Sequence, residues 1–157
     1  MSKKFHKKAF KLWLDQLCKV CVKDRDDFTC QIQHEGCSGK MMPLDKNCQW
    51  CHVKSKQRNI MRWNFLDIIC GCGHCHQWGH ANPNEFGVWF AKKYPVRNEY
   101  INSLTWMPSK TWHEDDFRDV ELVLLRKCLD LDVKVEYFPE SYRKRFLKRI
   151  EEFKRGE

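Results

Sequence analysis

The sequence lacks any long apolar run. Nowhere in its 157 residues do about eighteen consecutive apolar residues occur, which is the length that a membrane-spanning helix needs. The first ten residues, MSKKFHKKAF, also lack the apolar segment of roughly seven to fifteen residues that secretory signal peptides contain. We therefore expect a cytoplasmic protein with no membrane partner.

Internal repeats and low-complexity linkers are absent as well, which argues against a repeat protein and against domains joined by flexible segments. A chain of this length buries roughly 70% of its unfolded surface on folding. Hydrophobic residues make up 42% of the chain and aromatic residues 13%. This composition excludes a disordered chain and predicts a real core.

Positive charge is in excess. Lysine and arginine number 29 against 21 aspartates and glutamates, which gives a formal net charge of +8. The basic residues recur near the N-terminus, after His52 and at the C-terminus, a distribution that favours a polyanionic partner. A solvated surface on an ordinary protein is the alternative that charge alone leaves open.

Ten cysteines are present, and most lie at short spacings with histidines between them. Because thiols stay reduced in the cytosol, this pattern indicates metal ligands rather than disulfides. Cys18 and Cys21 differ, since they fall on the apolar stripe of an amphipathic helix that follows from Phe10. We expect both in the core of that helix, and the same periodicity places Cys128 in the core of a later one.

A helix is predicted after the second cysteine cluster. Asn82 and Pro83 are typical of an N-cap and a first helical position, and the helix should run from Asn84 to about Lys93. Pro95 is expected to end it.

Two more helices are predicted in the C-terminal third. Thr111 and Glu114 indicate a capping box for a helix that reaches about Leu131. The last helix should begin near Ser141, and its many cations can contact phosphates or, alternatively, support docking to a partner helix.

The knuckle Cys72-Gly73-His74-Cys75 predicts half of a tetrahedral zinc site, because cysteines at this spacing direct both sulfurs to one ion. Either of two upstream pairs can complete it: Cys30 with Cys37, or Cys48 with Cys51. The second choice gives a zinc-ribbon spacing. It would also leave four cysteines for another closed site: Cys18, Cys21, Cys30 and Cys37. The sequence permits both arrangements.

Three histidines directly follow the cysteine clusters: His52, His76 and His80. If the knuckle opens a helix, His76 and His80 lie on one face of it, within reach of one divalent ion. The dipeptide Cys51-His52, placed on a strand, points its side chains in opposite directions, so that one can contact a metal while the other activates water. The pattern therefore predicts a reactive metal site beside a structural one.

Four short segments carry a resemblance to a known family: RDDFTC (25–30), CHVKSK (51–56), RW (62–63) and CGHCH (72–76). Together they resemble the HNH, or ββα-metal, endonucleases, and most closely the phage NinG-type recombination proteins. The likeness covers roughly residues 12–90, and a weaker likeness covers residues 112–128.

The resemblance implies an α+β fold with a small zinc-stabilised ββα-metal core flanked by N-terminal and C-terminal helices. Residues 1–28 would form a basic amphipathic helix packed on the core, and 29–94 the HNH-like nuclease core. Residues 95–157 would form a helical extension with a basic tail. In a phage-encoded protein, the cytoplasm would be that of the host cell.

The resemblance also assigns roles to individual residues. His52 takes the place of the general base, His76 that of a metal ligand, and His80 that of an additional helical ligand found in some of these enzymes. The structural zinc would be held by Cys30, Cys37, Cys72 and Cys75. The catalytic ion would be Mg²⁺ or Mn²⁺, with Zn²⁺ or Ni²⁺ as alternatives that suit two imidazoles.

The chain departs from the family pattern at two catalytic-site positions. The family's middle asparagine falls on Asp67, which we place with His52 among the catalytic residues. Because an ionised aspartate only accepts hydrogen bonds, the loop that presents His52 must be braced differently, with Asn64 as a substitute. Cys51 stands where the family often has aspartate, histidine or glycine, so its role as a ligand is doubtful.

The implied function is that of a metal-dependent DNA endonuclease, acting on recombination intermediates or branched DNA in a phage-type context. His52 would take a proton from water while the ion at His76 and His80 stabilises the charge that develops. Four cations would hold the DNA strand: Lys54, Lys56, Arg58 and Arg62. A non-catalytic zinc-ribbon module that binds nucleic acid and a structural adaptor are the alternatives, and a homodimer is left open.

Overall fold

Helices and a single pair of strands make up the described part of the chain, which in this computed structural model comprises residues 5–54, 59–108 and 111–156. The elements in chain order are α1 (Lys7–Arg25), β1 (Cys48–His52), α2 (Asn59–Arg62), β2 (Ile68–Cys72), α3 (Gly73–Ala81), α4 (Pro83–Lys93), α5 (Pro95–Thr105), α6 (Glu114–Asp130), a 3-10 turn (Val135–Tyr137) and α7 (Glu140–Arg155). The fold is α+β, as predicted, and it is mostly helical. Within the described ranges, no helix is long and apolar enough to cross a membrane.

Contacts group the chain into two units. The first combines Met1–Cys21 with Thr111–Glu157, and the second is Val22–Lys110. The boundaries after residues 28 and 94, which were expected from the sequence, stay a prediction.

The first unit is helical and has an apolar core. The stripe predicted for α1 is buried, with Trp13, Leu14 and Leu17 fully enclosed. Cys18 and Cys21 lie on the same buried stripe, and Cys128 of α6 is buried as well. The expectation that these three cysteines are core residues is therefore confirmed.

A buried carboxylate joins three helices of this unit. Glu121 of α6 is 1% exposed and accepts a hydrogen bond from Trp13 Nε1 of α1 at 2.5 Å. Arg149 of α7 donates to it twice, from Nε at 3.1 Å and from Nη2 at 2.8 Å. A buried charge is tolerated only when it is paired and hydrogen-bonded in this way, so Arg149 is not available to a ligand.

The second unit contains the sheet. Strands β1 and β2 pair antiparallel, with Cys48 opposite Cys72 and His52 opposite Ile68. All of β2 is buried. Gly71 is required there, because a Cβ atom at this position would lie 2.5 Å from Cys51 Sγ.

Helix α3 starts directly after β2, as the knuckle predicted. Cys72 is its N-cap, with an extended backbone and a sulfur 3.5 Å from the backbone N–H of Cys75. The chain therefore passes from strand to helix at the knuckle itself.

The predictions for the helix after the knuckle are confirmed. Helix α4 begins at Pro83 with Asn82 in the N-cap position and ends at Lys93, before Pro95. The Asn82 side chain makes no capping hydrogen bond, because its Nδ2 donates to the Trp78 carbonyl at the end of α3. Pro95 ends α4 and also occupies the first position of α5, where a missing N–H costs nothing.

The start of α6 differs from the expected capping box at Thr111 and Glu114. The helix begins at Glu114, and the backbone N–H of His113 donates to Asp116 Oδ2 at 2.8 Å. The acidic first turn was predicted correctly, but the box lies two residues further on. Helix α7 begins at Glu140, one residue before the predicted start.

Candidate functional site

Four thiols from distant parts of the sequence come together in the second unit: Cys30, Cys37, Cys72 and Cys75. Their sulfur atoms all lie within 4.8 Å of one another. Sulfurs bound at about 2.3 Å around a tetrahedral zinc are about 3.8 Å apart, so this group fits such an ion after a small contraction. In the described ranges, no other set of three or more His, Cys, Asp or Glu donors is close enough to hold a metal.

A tight loop brings the first two thiols into position. The backbone N–H of Cys30 donates to the Gly39 carbonyl at 2.9 Å, and that of Cys37 to the His34 carbonyl at 3.0 Å. Gly36 has a φ of +76°, and a Cβ there would lie 3.0 Å from His74 Nε2. Glycine is therefore needed both for the backbone conformation and for the packing of the knuckle against the loop.

The electrostatics of the four thiols favour a cation. Burial opposes ionisation of Cys72, but backbone N–H groups of Ser38 and Cys75 lower its pKa to about 6. Burial and the neighbouring Cys72 sulfur raise the pKa of Cys75, and burial raises that of Cys30. The Cys72 thiolate thus forms readily, whereas the thiols of Cys75 and Cys30 resist ionisation. All of them can ionise together only if a positive charge lies among the sulfurs. A divalent ion supplies that charge.

The alternative pairing of Cys48 and Cys51 with the knuckle is not formed. Cys48 Sγ lies 3.6 Å from Cys70 Sγ, and Cys51 is buried with its sulfur against Gly71. Burial, and then the thiols of Cys30 and Cys72, raise the pKa of Cys51. These surroundings oppose the thiolate form that a metal ligand needs, so they do not favour Cys51 as a ligand.

His76 and His80 form a second candidate metal site on α3. Their Nε2 atoms are 3.1 Å apart. Two nitrogens bound at about 2.1 Å to one ion are about 3.0 to 3.4 Å apart, depending on the geometry. The predicted juxtaposition of the two imidazoles is therefore present.

Gln49 orients this pair and was not among the predicted site residues. His76 Nδ1 lies 2.6 Å from Gln49 Oε1, and since an amide oxygen only accepts, the ring proton is on Nδ1. Nε2 of His76 then carries the lone pair, as a metal ligand must. No sequence motif marks Gln49, because it acts through a tertiary hydrogen bond to a residue 27 positions away.

His52 lies at the end of β1 and is half-buried. Its Nε2 atom is 3.0 Å from the Arg62 carbonyl oxygen, which can only accept, so the proton is on Nε2. Nδ1 is then the basic nitrogen of the ring. The Trp50 ring packs edge-on against the imidazole with centroids 4.8 Å apart, which further fixes its orientation.

Asp67 braces the chain that follows His52. Its carbonyl accepts from the backbone N–H of Val53 at 3.0 Å, and its Oδ1 from that of Lys54 at 2.8 Å. Asn64, the expected substitute, instead accepts from the N–H of Leu66 at 3.0 Å within its own turn. The expectation that Asn64 replaces this function is therefore wrong, and Asp67 has a positioning role.

The Asp67 side chain is fully buried, and Oδ2 has no hydrogen-bond partner among the residues the structure describes. Burial raises its pKa to about 8, against the opposing effects of the Lys54 N–H and the charges of Lys54 and Arg97. At neutral pH the carboxyl is therefore mostly protonated. A neutral acid offers one donor and one acceptor, which makes it a closer substitute for asparagine than an ionised aspartate is.

Of the four predicted DNA-binding cations, Lys56 and Arg58 lie outside the described residues. Lys54 and Arg62 are half-buried, and the Arg62 guanidinium lies 5.6 Å from the centre of the Trp63 ring. Lys54 lies two residues after His52, and its backbone N–H donates to Asp67 Oδ1. The Arg62 carbonyl oxygen lies 3.0 Å from His52 Nε2.

Comparisons with models of protein families, with curated proteins and with solved structures found no match to this chain. The geometry of the two sites is therefore the basis for a functional conclusion. The resemblance to HNH and NinG-type proteins stays a prediction from the sequence.

The four-thiol group predicts that each chain binds one zinc ion tightly at these sulfurs. Binding should require Cys30, which supplies one of them. We expect Cys30→Ala to lose the metal and Cys48→Ala to retain it, because only the first removes a sulfur from the group. Both positions are buried cysteines, so they form a matched pair. Elemental analysis after gel filtration measures the metal content. Retention of zinc in Cys30→Ala, or its loss in Cys48→Ala, would contradict the assignment.

The environment of Asp67 predicts a pH-dependent effect of Asp67→Asn on stability. A carboxyl whose pKa is about 8 when folded, against an ordinary value of about 3.9, makes folding less favourable as pH rises between these values. The neutral asparagine avoids this penalty. We expect the variant to gain about 4 kcal/mol relative to wild type between roughly pH 5 and pH 9.

Urea unfolding at several pH values measures this difference. Asp27→Asn is the control, since the Asp27 side chain is exposed and paired with Lys40 at the surface. Parallel stability curves for wild type and Asp67→Asn would show that the Asp67 carboxyl is ionised in the folded protein.

Proposed function

We propose that this protein is a metal-dependent endonuclease of the ββα-metal type that hydrolyses phosphodiester bonds in DNA. The observation that carries the proposal is the tautomer and the orientation of three imidazoles, those of His52, His76 and His80. His52 is held with Nδ1 basic by the Arg62 carbonyl, while His76 and His80 direct their Nε2 atoms at one another from α3. A base and a pair of ligands are two of the parts that metal-assisted hydrolysis needs.

His52 is the proposed general base. The Nε2 hydrogen bond to Arg62 places the basic lone pair on Nδ1, and the neutral imidazole can accept a proton from water there. The resulting imidazolium would keep the same hydrogen bond. Asp67 holds the strand end through Val53 and Lys54, which keeps the base in place during this change.

His76 and His80 are the proposed ligands of the catalytic ion. A divalent ion bound there would supply positive charge for the phosphate and the leaving oxygen. Imidazole donors suit Zn²⁺ and Ni²⁺, whereas Mg²⁺ and Mn²⁺ suit oxygen ligands and retained waters. The Gln49 amide strengthens the proposal, because ligating histidines usually donate their second N–H to such an acceptor.

The four-thiol group is proposed to hold a structural zinc. It would join the 30–37 loop to the corner between β2 and α3, and so fix the start of the helix that carries His76 and His80. In this arrangement zinc has no role in the chemistry. It stabilises the scaffold on which the imidazoles are placed.

DNA is the proposed substrate. The net charge of +8 favours a polyanionic substrate. Lys54 lies two residues after His52, and the Arg62 carbonyl contacts the His52 ring, so both cations belong to residues beside the proposed base. Branched DNA or recombination intermediates are proposed from the NinG-type resemblance alone.

His52→Ala is expected to lower the cleavage rate by about two to four orders of magnitude, because general-base catalysis contributes on that order. Plasmid and four-way-junction DNA are incubated with the intact protein in Mg²⁺, Mn²⁺, Zn²⁺ or Ni²⁺, and the products are resolved on gels. His6→Ala removes an exposed histidine in the other unit and should cleave at the wild-type rate.

Zinc content and DNA affinity are measured for each variant, so that loss of the fold is recognised. Equal cleavage by wild type and by a zinc-loaded His52→Ala would refute the role of His52. DNA binding by a wild type that cleaves with none of the four ions would favour a non-catalytic nucleic-acid-binding module.

A further inference from the structure

Two cysteines that belong to neither site lie in unusually close contact in the first unit. Cys21 Sγ of α1 is 2.8 Å from Cys128 Sγ of α6. Another thiol pair outside the four-thiol group, Cys48 and Cys70, has its sulfurs 3.6 Å apart. A helical core does not by itself require so short a distance between two sulfurs that are 107 residues apart in the chain.

We propose that Cys21 and Cys128 are a redox-sensitive pair that a peroxide converts to a disulfide joining α1 to α6. Neither residue has a role in the proposed nuclease chemistry, and the inference does not depend on it. Cys21 is 0% exposed and Cys128 is 2% exposed. A small oxidant such as hydrogen peroxide is therefore the reagent that fits, whereas bulky disulfides cannot approach such buried sulfurs.

The geometry favours this pair over the other. A disulfide bond is about 2.0 Å long, so Cys21 and Cys128 must approach by about 0.8 Å. Cys48 and Cys70 must approach by about 1.6 Å within a buried strand pair. Dense packing resists larger movements, which makes the first pair the easier one to close.

The reaction balances with one peroxide. A first thiol attacks one peroxide oxygen, the O–O bond breaks, and a sulfenic acid and one water form. The second thiol attacks that sulfur, the S–O bond breaks, the S–S bond forms, and a second water leaves. Two thiols have then lost two hydrogens and two electrons, and the peroxide has been reduced to two waters.

The bond would have a large effect on the unfolded chain. It would close a loop that contains all residues from 21 to 128, and long closed loops lower the entropy of the unfolded state most strongly. Oxidation should therefore raise the unfolding temperature. The added cross-link lies in a different unit from the four thiols, so zinc content should not change.

The test treats the intact, metal-loaded wild type with dilute hydrogen peroxide, blocks remaining thiols, and maps the first cross-linked peptides by mass spectrometry. We expect a Cys21–Cys128 peptide, an unfolding temperature raised by several degrees, unchanged zinc content, and full reversal by dithiothreitol. Peptide mapping of the wild type decides the identity of the bond without any variant.

Two variants separate this bond from general oxidation. Cys18→Ala removes another buried cysteine of α1 and should still form the cross-link, whereas Cys128→Ala should show no temperature rise. A first cross-link between any other cysteines would overturn the proposal. So would complete release of zinc before Cys21 and Cys128 react, or the same temperature rise in Cys128→Ala.

Discussion

The approach of four thiols within one small volume is the constraint on which the rest of the second unit depends. A loop supplies Cys30 and Cys37, and the corner between β2 and α3 supplies Cys72 and Cys75. These sulfurs are buried or half-buried, and their mutual repulsion as thiolates would separate the two segments unless a cation lay between them. The proposed zinc would therefore determine where α3 begins and in which direction it leaves the sheet.

Backbone and amide oxygens then determine the chemistry of the imidazoles. The Arg62 carbonyl places the proton of His52 on Nε2, and the Gln49 amide places that of His76 on Nδ1. The two rings thereby present different basic nitrogens, which suits one to accept a proton and the other to bind a metal. Asp67 completes the arrangement, because burial keeps its carboxyl mostly neutral while Oδ1 holds the chain after His52.

Short-range spacing predicted much of this from the sequence. A knuckle with two intervening residues and histidines four apart specify local geometry directly, and the structure places them as expected. The choice between Cys30–Cys37 and Cys48–Cys51 needed the path of the loop, which spacing does not encode. Gln49 and the Arg62 carbonyl act through tertiary hydrogen bonds and leave no motif. The neutral state of Asp67 follows from burial, which one sequence cannot show.

X-ray absorption at the zinc edge, on the protein as purified, tests the central constraint most directly. The account predicts a single zinc environment with four sulfur ligands at about 2.3 Å and no nitrogen in the first coordination shell. A shell that mixes imidazole nitrogen with sulfur would place the tightly held zinc at another set of residues. That result would remove the physical reason for the position of α3 and of the histidines it carries.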